Sequence, residues 1–204
     1  SEAQTDNVAV LLRMADVAYM MENYTAMSEV CDKALHLDTS NLQTYLYYAK
    51  ACRGLGEPIR AVAVLSLAIK LREDYYAARL LRGTILLENH LLDDAAQDAD
   101  YLFTHLEPNE DVLLLKARVL KAQEKMKEAE QVYGMVIEVN PFSLDAYRER
   151  SEVRTILGDA AGAAEDEASI KEMGAEVPEP SEGIEQKIKE KMQQMDPYKI
   201  FHNE

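Results

Sequence analysis

The chain has 204 residues, 48% of them hydrophobic, with 8 glycines and 6 prolines, so it can bury a core and is not a disordered polymer. Its net charge of −15 excludes a nucleic-acid backbone as the main partner, because phosphate binding needs a lysine- and arginine-rich surface. No apolar run reaches the ~18 residues that a membrane span requires, which argues against membrane insertion. No signal peptide is visible, but the chain begins with Ser1 rather than Met, so a cytoplasmic and an exported or periplasmic location both remain open.

Small residues recur along the chain at a fixed step of 34. One series is Ala15, Ala49, Gly83, Ala117 and Ser151, and a second series, twelve residues later each time, is Met27, Ala61, Ala95, Ala129 and Ala163. This period with two small positions per repeat predicts an array of helix–turn–helix units. The small side chains allow the two helices of each unit to approach closely.

The predicted elements follow this period in chain order. Residues 1–7 are a flexible N-terminus, and the array covers 8–175 as five hairpins of a helix A and a helix B, at 8–41, 42–75, 76–109, 110–143 and 144–175. The turn Gly56-Glu57-Pro58 places a glycine after helix A and a proline in the first turn of helix B. Gly158 and Asp159 form a similar boundary, and Asn109 and Ser143 are predicted N-caps.

Residues 176–204 are predicted to contain a linker, a final helix and a tail. The linker contains Pro178, Pro180 and Gly183, and the residues Ile184, Ile188, Met192 and Met195 then mark one face of a helix at about 183–195. A repeat array needs a terminal cap, because its last hairpin otherwise exposes its stacking face. We therefore expect this helix to cap the array, with docking on a partner or a second copy as the alternative.

Several segments carry a family resemblance. The segments NYTAMSEVCDKALHLDTSN (23–41), AARLLRGTILL (77–87), KEAEQVYGMVIEVNP (127–141) and GDAAGAAEDE (158–167) resemble the tetratricopeptide repeat, and the resemblance covers about 8–175. It departs from the family pattern at Arg79, which occupies a large aromatic position, and in having no tryptophan. The resemblance implies an all-α, right-handed superhelical array with helices A on the inner face and helices B on the outer face.

Catalytic and metal-binding patterns are absent from the sequence. The four histidines lie far apart, and no HExxH, paired CxxC, phosphate loop or GxSxG motif occurs. We therefore expect no enzyme activity, no cofactor and no metal. Cys31 and Cys52 both fall at apolar repeat positions and are predicted to be reduced, buried thiols rather than a disulfide.

The charges favour a binding groove on the helices A. The five predicted helices A, at 8–21, 42–55, 76–89, 110–123 and 144–157, have a net charge of +4, and the rest of the chain has a net charge of −19. A leucine row at the period of 34 is flanked by cations, and the predicted partner-binding residues are Leu12, Leu46, Lys50, Arg53, Leu80, Leu114, Arg118, Lys121 and Arg148. Such a surface suits a protein or peptide segment with an apolar anchor and acidic groups. Packing is the alternative role for the leucines, and covering helix seams is the alternative for Arg82, Lys116 and Arg150.

The sequence thus indicates a non-catalytic protein–protein interaction scaffold, monomeric or weakly dimeric. The carboxylate clamp of the chaperone-binding subfamily is not expected, because the corresponding positions hold Leu12 and Asp16. Two alternatives remain open: an oligomerisation or structural scaffold that uses the acidic helix B face and the last helix, and an accessory subunit of a bacterial envelope or secretion complex.

Overall fold

The computed structural model describes residues 2–174, and these residues form ten α-helices joined by short turns. Their contacts divide the chain into two units, unit 1 up to His105 and unit 2 from Leu106. Unit 1 contains α1 (Glu2–Met20), α2 (Tyr24–Leu37), α3 (Leu42–Gly54), α4 (Pro58–Leu71), α5 (Tyr76–Glu88) and α6 (Leu92–His105). Unit 2 contains α7 (Glu110–Ala122), α8 (Met126–Val139), α9 (Leu144–Leu157) and α10 (Ala160–Glu172).

The helices pack as sequential hairpins. Each helix A contacts the helix B that follows it, and within each unit helix B contacts helix A of the next hairpin. The predicted all-α array of five hairpins is therefore confirmed for the described residues. The first helix begins at Glu2, so it includes residues that we expected to form a flexible N-terminus. The predicted final helix at 183–195 lies outside the described residues.

The two series of small residues lie where helices of one hairpin meet. In unit 1, Ala15, Ala49, Ala61 and Ala95 are completely buried. Larger apolar side chains fill the seams around them, as Leu65 and Ile85 do in unit 1 and Tyr133 and Val136 in unit 2. The period of 34 thus reflects one packing solution repeated along the chain, with a small residue at these contacts in every hairpin except the first, where Met27 takes the second position.

The two cysteines are buried and free, as predicted. Both lie in the core of unit 1, and burial raises the pKa of the Cys31 thiol to about 12. The thiols therefore stay protonated and poorly nucleophilic at neutral pH.

Every turn inside a hairpin has one residue with a positive φ, at the same repeat position each time. Glycine occupies this position as Gly56 and Gly158, with φ of 73° and 86°. Glu22, His90 and Glu124 occupy it in the other hairpins, with φ of 54°, 59° and 63°. A residue with a Cβ is strained in this left-handed region, whereas glycine adopts it readily. Only two of the five turns therefore have glycine, the residue that this backbone conformation favours.

Replacing Glu124 by glycine should stabilise unit 2. The left-handed conformation costs a residue with a Cβ roughly 1–2 kcal/mol, and the greater freedom of glycine in the unfolded chain offsets part of that gain. We expect a net increase of about 0.5–1 kcal/mol in the free energy of unfolding, measured by urea denaturation. Gly158→Ala is the matched change in the opposite direction and should lower the stability. A loss of stability in Glu124→Gly would contradict this interpretation of the turn.

Candidate partner-binding site

The helices A of unit 1 lie side by side, because α3 contacts both α1 and α5. This side of the unit, which we call the A-helix face, carries three of the predicted leucines. Leu12, Leu46 and Leu80 are each half-buried, so part of every side chain remains open to solvent. Leu46 also packs against the core of unit 1. These leucines therefore contribute to packing and also leave apolar surface that a ligand could contact.

Lys50 lies beside two aromatic rings on the A-helix face. Its Nζ is 5.4 Å from the centre of the Tyr19 ring and 5.8 Å from that of Tyr47. A shallow cavity of about 230 Å³ adjoins the lysine, and Tyr19, Tyr24, Lys50, Arg53 and Gly54 line it. The tyrosine rings meet at a steep angle, with centroids of Tyr19 and Tyr24 6.3 Å apart. We call this site the tyrosine–lysine pocket.

Two carboxylates bind side chains next to Lys50 or in the pocket, so each already has a partner. The Tyr47 hydroxyl donates a hydrogen bond to Asp16, and burial together with this bond raises the pKa of Tyr47. Arg53 Nε donates to Glu88 Oε2 of α5 at 3.0 Å. Among the described residues, no carboxylate forms an ion pair with Lys50. Within the described part of this face, Lys50 thus combines aromatic neighbours with the lack of an internal counter-ion.

The predicted residues of unit 2 are in a different environment. Arg118 Nε donates to Glu149 at 2.7 Å and its Nη2 to Asp145 at 2.8 Å, both on α9. Lys121 donates to Glu152 at 2.5 Å. Leu114 is buried in the core of unit 2, which leaves it little surface for a ligand. These cations hold α7 and α9 together. Their charges are therefore largely neutralised by carboxylates of unit 2 and are less available to a ligand.

Arg148 completes the predicted set in unit 2. It is half-buried, and its Nε is buried without a hydrogen-bond acceptor among the described residues. The nine predicted residues therefore fall into two groups. Leu12, Leu46, Lys50, Arg53 and Leu80 share the A-helix face of unit 1, and Leu114, Arg118, Lys121 and Arg148 belong to unit 2.

Two features of the site escaped the sequence analysis. Tyr19 and Tyr24 of the pocket, and Tyr47 beside Lys50, were not identified as site residues, because each one alone resembles a core aromatic. The acidic partners of the unit 2 cations were not identified either. A signal existed, since Arg118 with Glu149 and Lys121 with Glu152 share a spacing of 31 residues.

Arg82 and Arg150 form ion pairs inside their hairpins, a role that the sequence analysis did not consider for them. Arg82 forms a two-pronged ion pair with Asp98 of α6, with both N–O distances at 2.7 Å. Arg150 binds Asp166 of α10 in the same way, at 3.0 and 2.6 Å. Both carboxylates are almost completely buried. These arginines hold the two helices of one hairpin together and are not available to a ligand.

The described residues contain no group of three or more histidine, cysteine, aspartate or glutamate side chains placed to hold a metal ion. None of the described helices is long and apolar enough to cross a membrane.

Comparisons with known proteins identify similar structures and no similar sequence family. No protein-family model and no curated protein matches the chain. A structure of MamA (residues 41 to the end) from Desulfovibrio magneticus RS-1 matches with a TM-score of 0.76 and 14% identity, over 83% of this chain and 96% of that one. PilW, described as a type IV pilus biogenesis factor, matches with a TM-score of 0.74 and 17% identity, over 84% and 80%. YrrB, described as a TPR protein with an unusual peptide-binding site, matches with a TM-score of 0.65 and 16% identity, over 88% and 90%.

Proposed function

From the tetratricopeptide-repeat fold of this chain, we propose that it is a non-catalytic scaffold that binds a segment of another protein on the A-helix face of unit 1. The fold supports the general class, since repeat arrays present extended surfaces to protein partners. YrrB has the same fold and is described as having a peptide-binding site. The tyrosine–lysine pocket supports the position of the site within this chain.

The observation that carries the proposal is a difference between two residues at one repeat position. Lys50 and Arg118 are two repeats apart, at the same place on helices A. Arg118 is neutralised by Glu149 and Asp145, whereas Lys50 faces Tyr19 and Tyr47 without an internal carboxylate among the described residues. A cation held near aromatic rings and free of an internal ion pair is suited to an acidic group from outside.

The residues of the pocket suggest a chemistry for the ligand. A carboxylate would accept hydrogen bonds from Lys50, and an adjacent apolar side chain would contact the Tyr19 and Tyr24 rings. The exposed parts of Leu46 and Leu80 then extend the apolar surface along the same face. The ligand is therefore a peptide segment with an acidic residue or a terminal carboxylate next to an aromatic or aliphatic side chain.

The two kinds of contact should affect binding differently. Complete burial of a leucine side chain is worth roughly 1.5–3 kcal/mol, so the apolar contacts supply most of the affinity and slow dissociation. An exposed lysine acts mainly on the rate of association and on its dependence on salt. Kinetic measurements can thus separate the contribution of Lys50 from that of the leucine row.

The test begins with a selection of short random peptides against the full chain. The selected peptides should combine an acidic residue with an apolar one. Lys50→Glu should weaken their binding by roughly tenfold, equivalent to about 1.4 kcal/mol, and should remove most of the salt dependence of association. Surface plasmon resonance at several salt concentrations measures both effects.

Lys70→Glu is the matched control for this test. Lys70 is exposed in the last turn of α4, a helix B, and lies outside the pocket. This variant should bind the peptides like the unchanged protein. Thermal unfolding of both variants establishes that the fold is intact. Equal binding by Lys50→Glu and the unchanged chain would show that the ligand uses another surface.

A further inference from the structure

One side of α1 carries a stripe of exposed apolar side chains. Val10, Met14, Val17 and Met21 are 56%, 51%, 52% and 72% exposed. We call these four residues the α1 end face, and they line a cleft of about 420 Å³ beside the start of α2. A contiguous apolar patch of this kind on a soluble chain marks an interaction surface.

The second hairpin shows how the same stripe is covered inside the unit. Thr44 and Ala51 of α3 occupy the repeat positions of Val10 and Val17, and both are completely buried. They are buried at the side of α3 on which α2, the preceding helix B, packs. The α1 end face therefore has the form of a surface that receives another helix along the length of α1.

The spacing of the stripe favours a second copy of α1 as that helix. Its residues are four, three and four positions apart, which is the spacing of a coiled-coil seam and reads the same from either end of the helix. When two copies lie antiparallel about a twofold axis, Val10 of one copy faces Met21 of the other, and Met14 faces Val17. Every residue of the seam then has an apolar partner.

The charge and the size of the face also fit a second copy. None of the four seam residues is charged, so the pairing brings no like charges together within the seam. Arg13 lies at the edge of the cleft and is exposed, which leaves its charge in water. The face and its rim present roughly 500 Å² per copy, and a pair therefore buries about 1,000 Å², the size of a weak and reversible interface.

We infer that the α1 end face pairs with the same face of a second copy, so that the chain forms a weak twofold dimer through antiparallel α1 helices. Self-complementary contacts of this type are the commonest route to a closed dimer. The inference concerns a surface other than the proposed peptide site and does not depend on it.

The dimer leaves the tyrosine–lysine pocket open. Leu12 and Tyr19 follow Val10 and Val17 by two residues, which turns them by roughly 200° around α1, to the side away from the seam. If the proposed peptide site is correct, each dimer carries two such sites, and a partner with two binding segments gains avidity.

Sedimentation equilibrium of the full chain tests the dimer. We expect a monomer–dimer equilibrium with a dissociation constant of about 10–100 µM, as suits an interface of this size. Met14→Glu places a charge in the seam of both copies and should raise the dissociation constant at least tenfold. Ile59→Glu is the matched control, since Ile59 of α4 is 85% exposed and lies outside the face, and this variant should associate like the unchanged chain. Circular dichroism establishes that both variants keep their helices.

Cysteine cross-linking tests the antiparallel register without adding charge. A mixture of Val10→Cys chains and Met21→Cys chains should react with a short bismaleimide to give a product of twice the mass. Either variant alone should not, because the two copies of one residue lie about 16 Å apart along the helix axis in this register. The native Cys31 and Cys52 are completely buried and do not compete.

Four outcomes overturn the inference. They are a chain that stays monomeric at millimolar concentration, a mass that grows beyond the dimer as in an open head-to-tail assembly, a Met14→Glu variant that dimerises like the unchanged chain, and cross-linking of Val10→Cys or Met21→Cys with itself in preference to the mixture.

Discussion

Replacement of Asp98 by alanine should lower the free energy of unfolding by about 3–5 kcal/mol, because it leaves buried positive charge without a counter-ion. Asp98 is 1% exposed and accepts hydrogen bonds from Arg82 at 2.7 Å through both of its oxygens. Arg79 lies 3.4 Å from the same carboxylate. The variant loses these contacts and must either keep two arginines half-buried and unpaired or open the α5–α6 hairpin to hydrate them. Urea denaturation of the variant and the unchanged chain measures the difference.

Two further variants distinguish a broken ion pair from a general effect on α6. Asp94→Ala removes an exposed aspartate of the same helix and should change the stability by no more than about 0.5 kcal/mol. The double change Arg82→Met with Asp98→Val reproduces the pair Met14 and Val30 of the first hairpin. It should recover part of the lost stability, since apolar replacement of a buried ion pair is often neutral or stabilising, while Arg79 still loses its carboxylate partner. A cost below about 1 kcal/mol for Asp98→Ala would contradict the structural role of this pair.

Replacement of Ala95 by leucine should destabilise unit 1 by about 1–3 kcal/mol through overpacking. Ala95 is completely buried on α6, and the equally buried Gly83 lies on α5, the other helix of the hairpin. The three extra carbon atoms have no space, so the helices must separate or adopt strained side-chain conformations. Neighbouring hairpins should share the loss, because stability in repeat arrays depends on the interfaces between repeats.

Ala77→Leu is the matched control, since Ala77 is exposed on α5 of the same hairpin. It adds the same atoms on the solvent side and should leave the denaturant midpoint nearly unchanged. An Ala95→Leu chain with the same midpoint and slope as the unchanged protein would show that the assigned contact of helices A and B is wrong.

A comparison of the repeats with one another also contains a signal for the buried ion pairs. Repeat positions 16 residues apart hold Arg82 with Asp98 and Arg150 with Asp166, whereas the first, second and fourth hairpins hold a valine, Val30, Val64 or Val132, at the second position. An aspartate in an otherwise apolar row, always together with an arginine, indicates a paired buried charge. Comparison of the repeats with one another could therefore have predicted these pairs without any homologous sequence.

The sequence by itself determined the hairpins, their order and their small-residue contacts. These features follow from short-range rules, because helix periodicity, N-caps such as Asn109 and Ser143, and the step of 34 act within one repeat or between neighbours. The buried state of Cys31 and Cys52 followed from the same periodicity.

Only the tertiary structure decided which charges form internal ion pairs and which apolar side chains of the helices A are covered. Arg118 and Lys50 share a repeat position, yet Glu149 and Asp145 neutralise the first, and Tyr19 and Tyr47 neighbour the second. The choice depends on which side chains of an adjacent helix come within hydrogen-bonding distance, and long flexible side chains have several possible partners. Val10 and Val17 of α1 are likewise about half exposed, whereas Thr44 and Ala51 at the same repeat positions of α3 are completely buried, which is a property of packing and not of any local pattern.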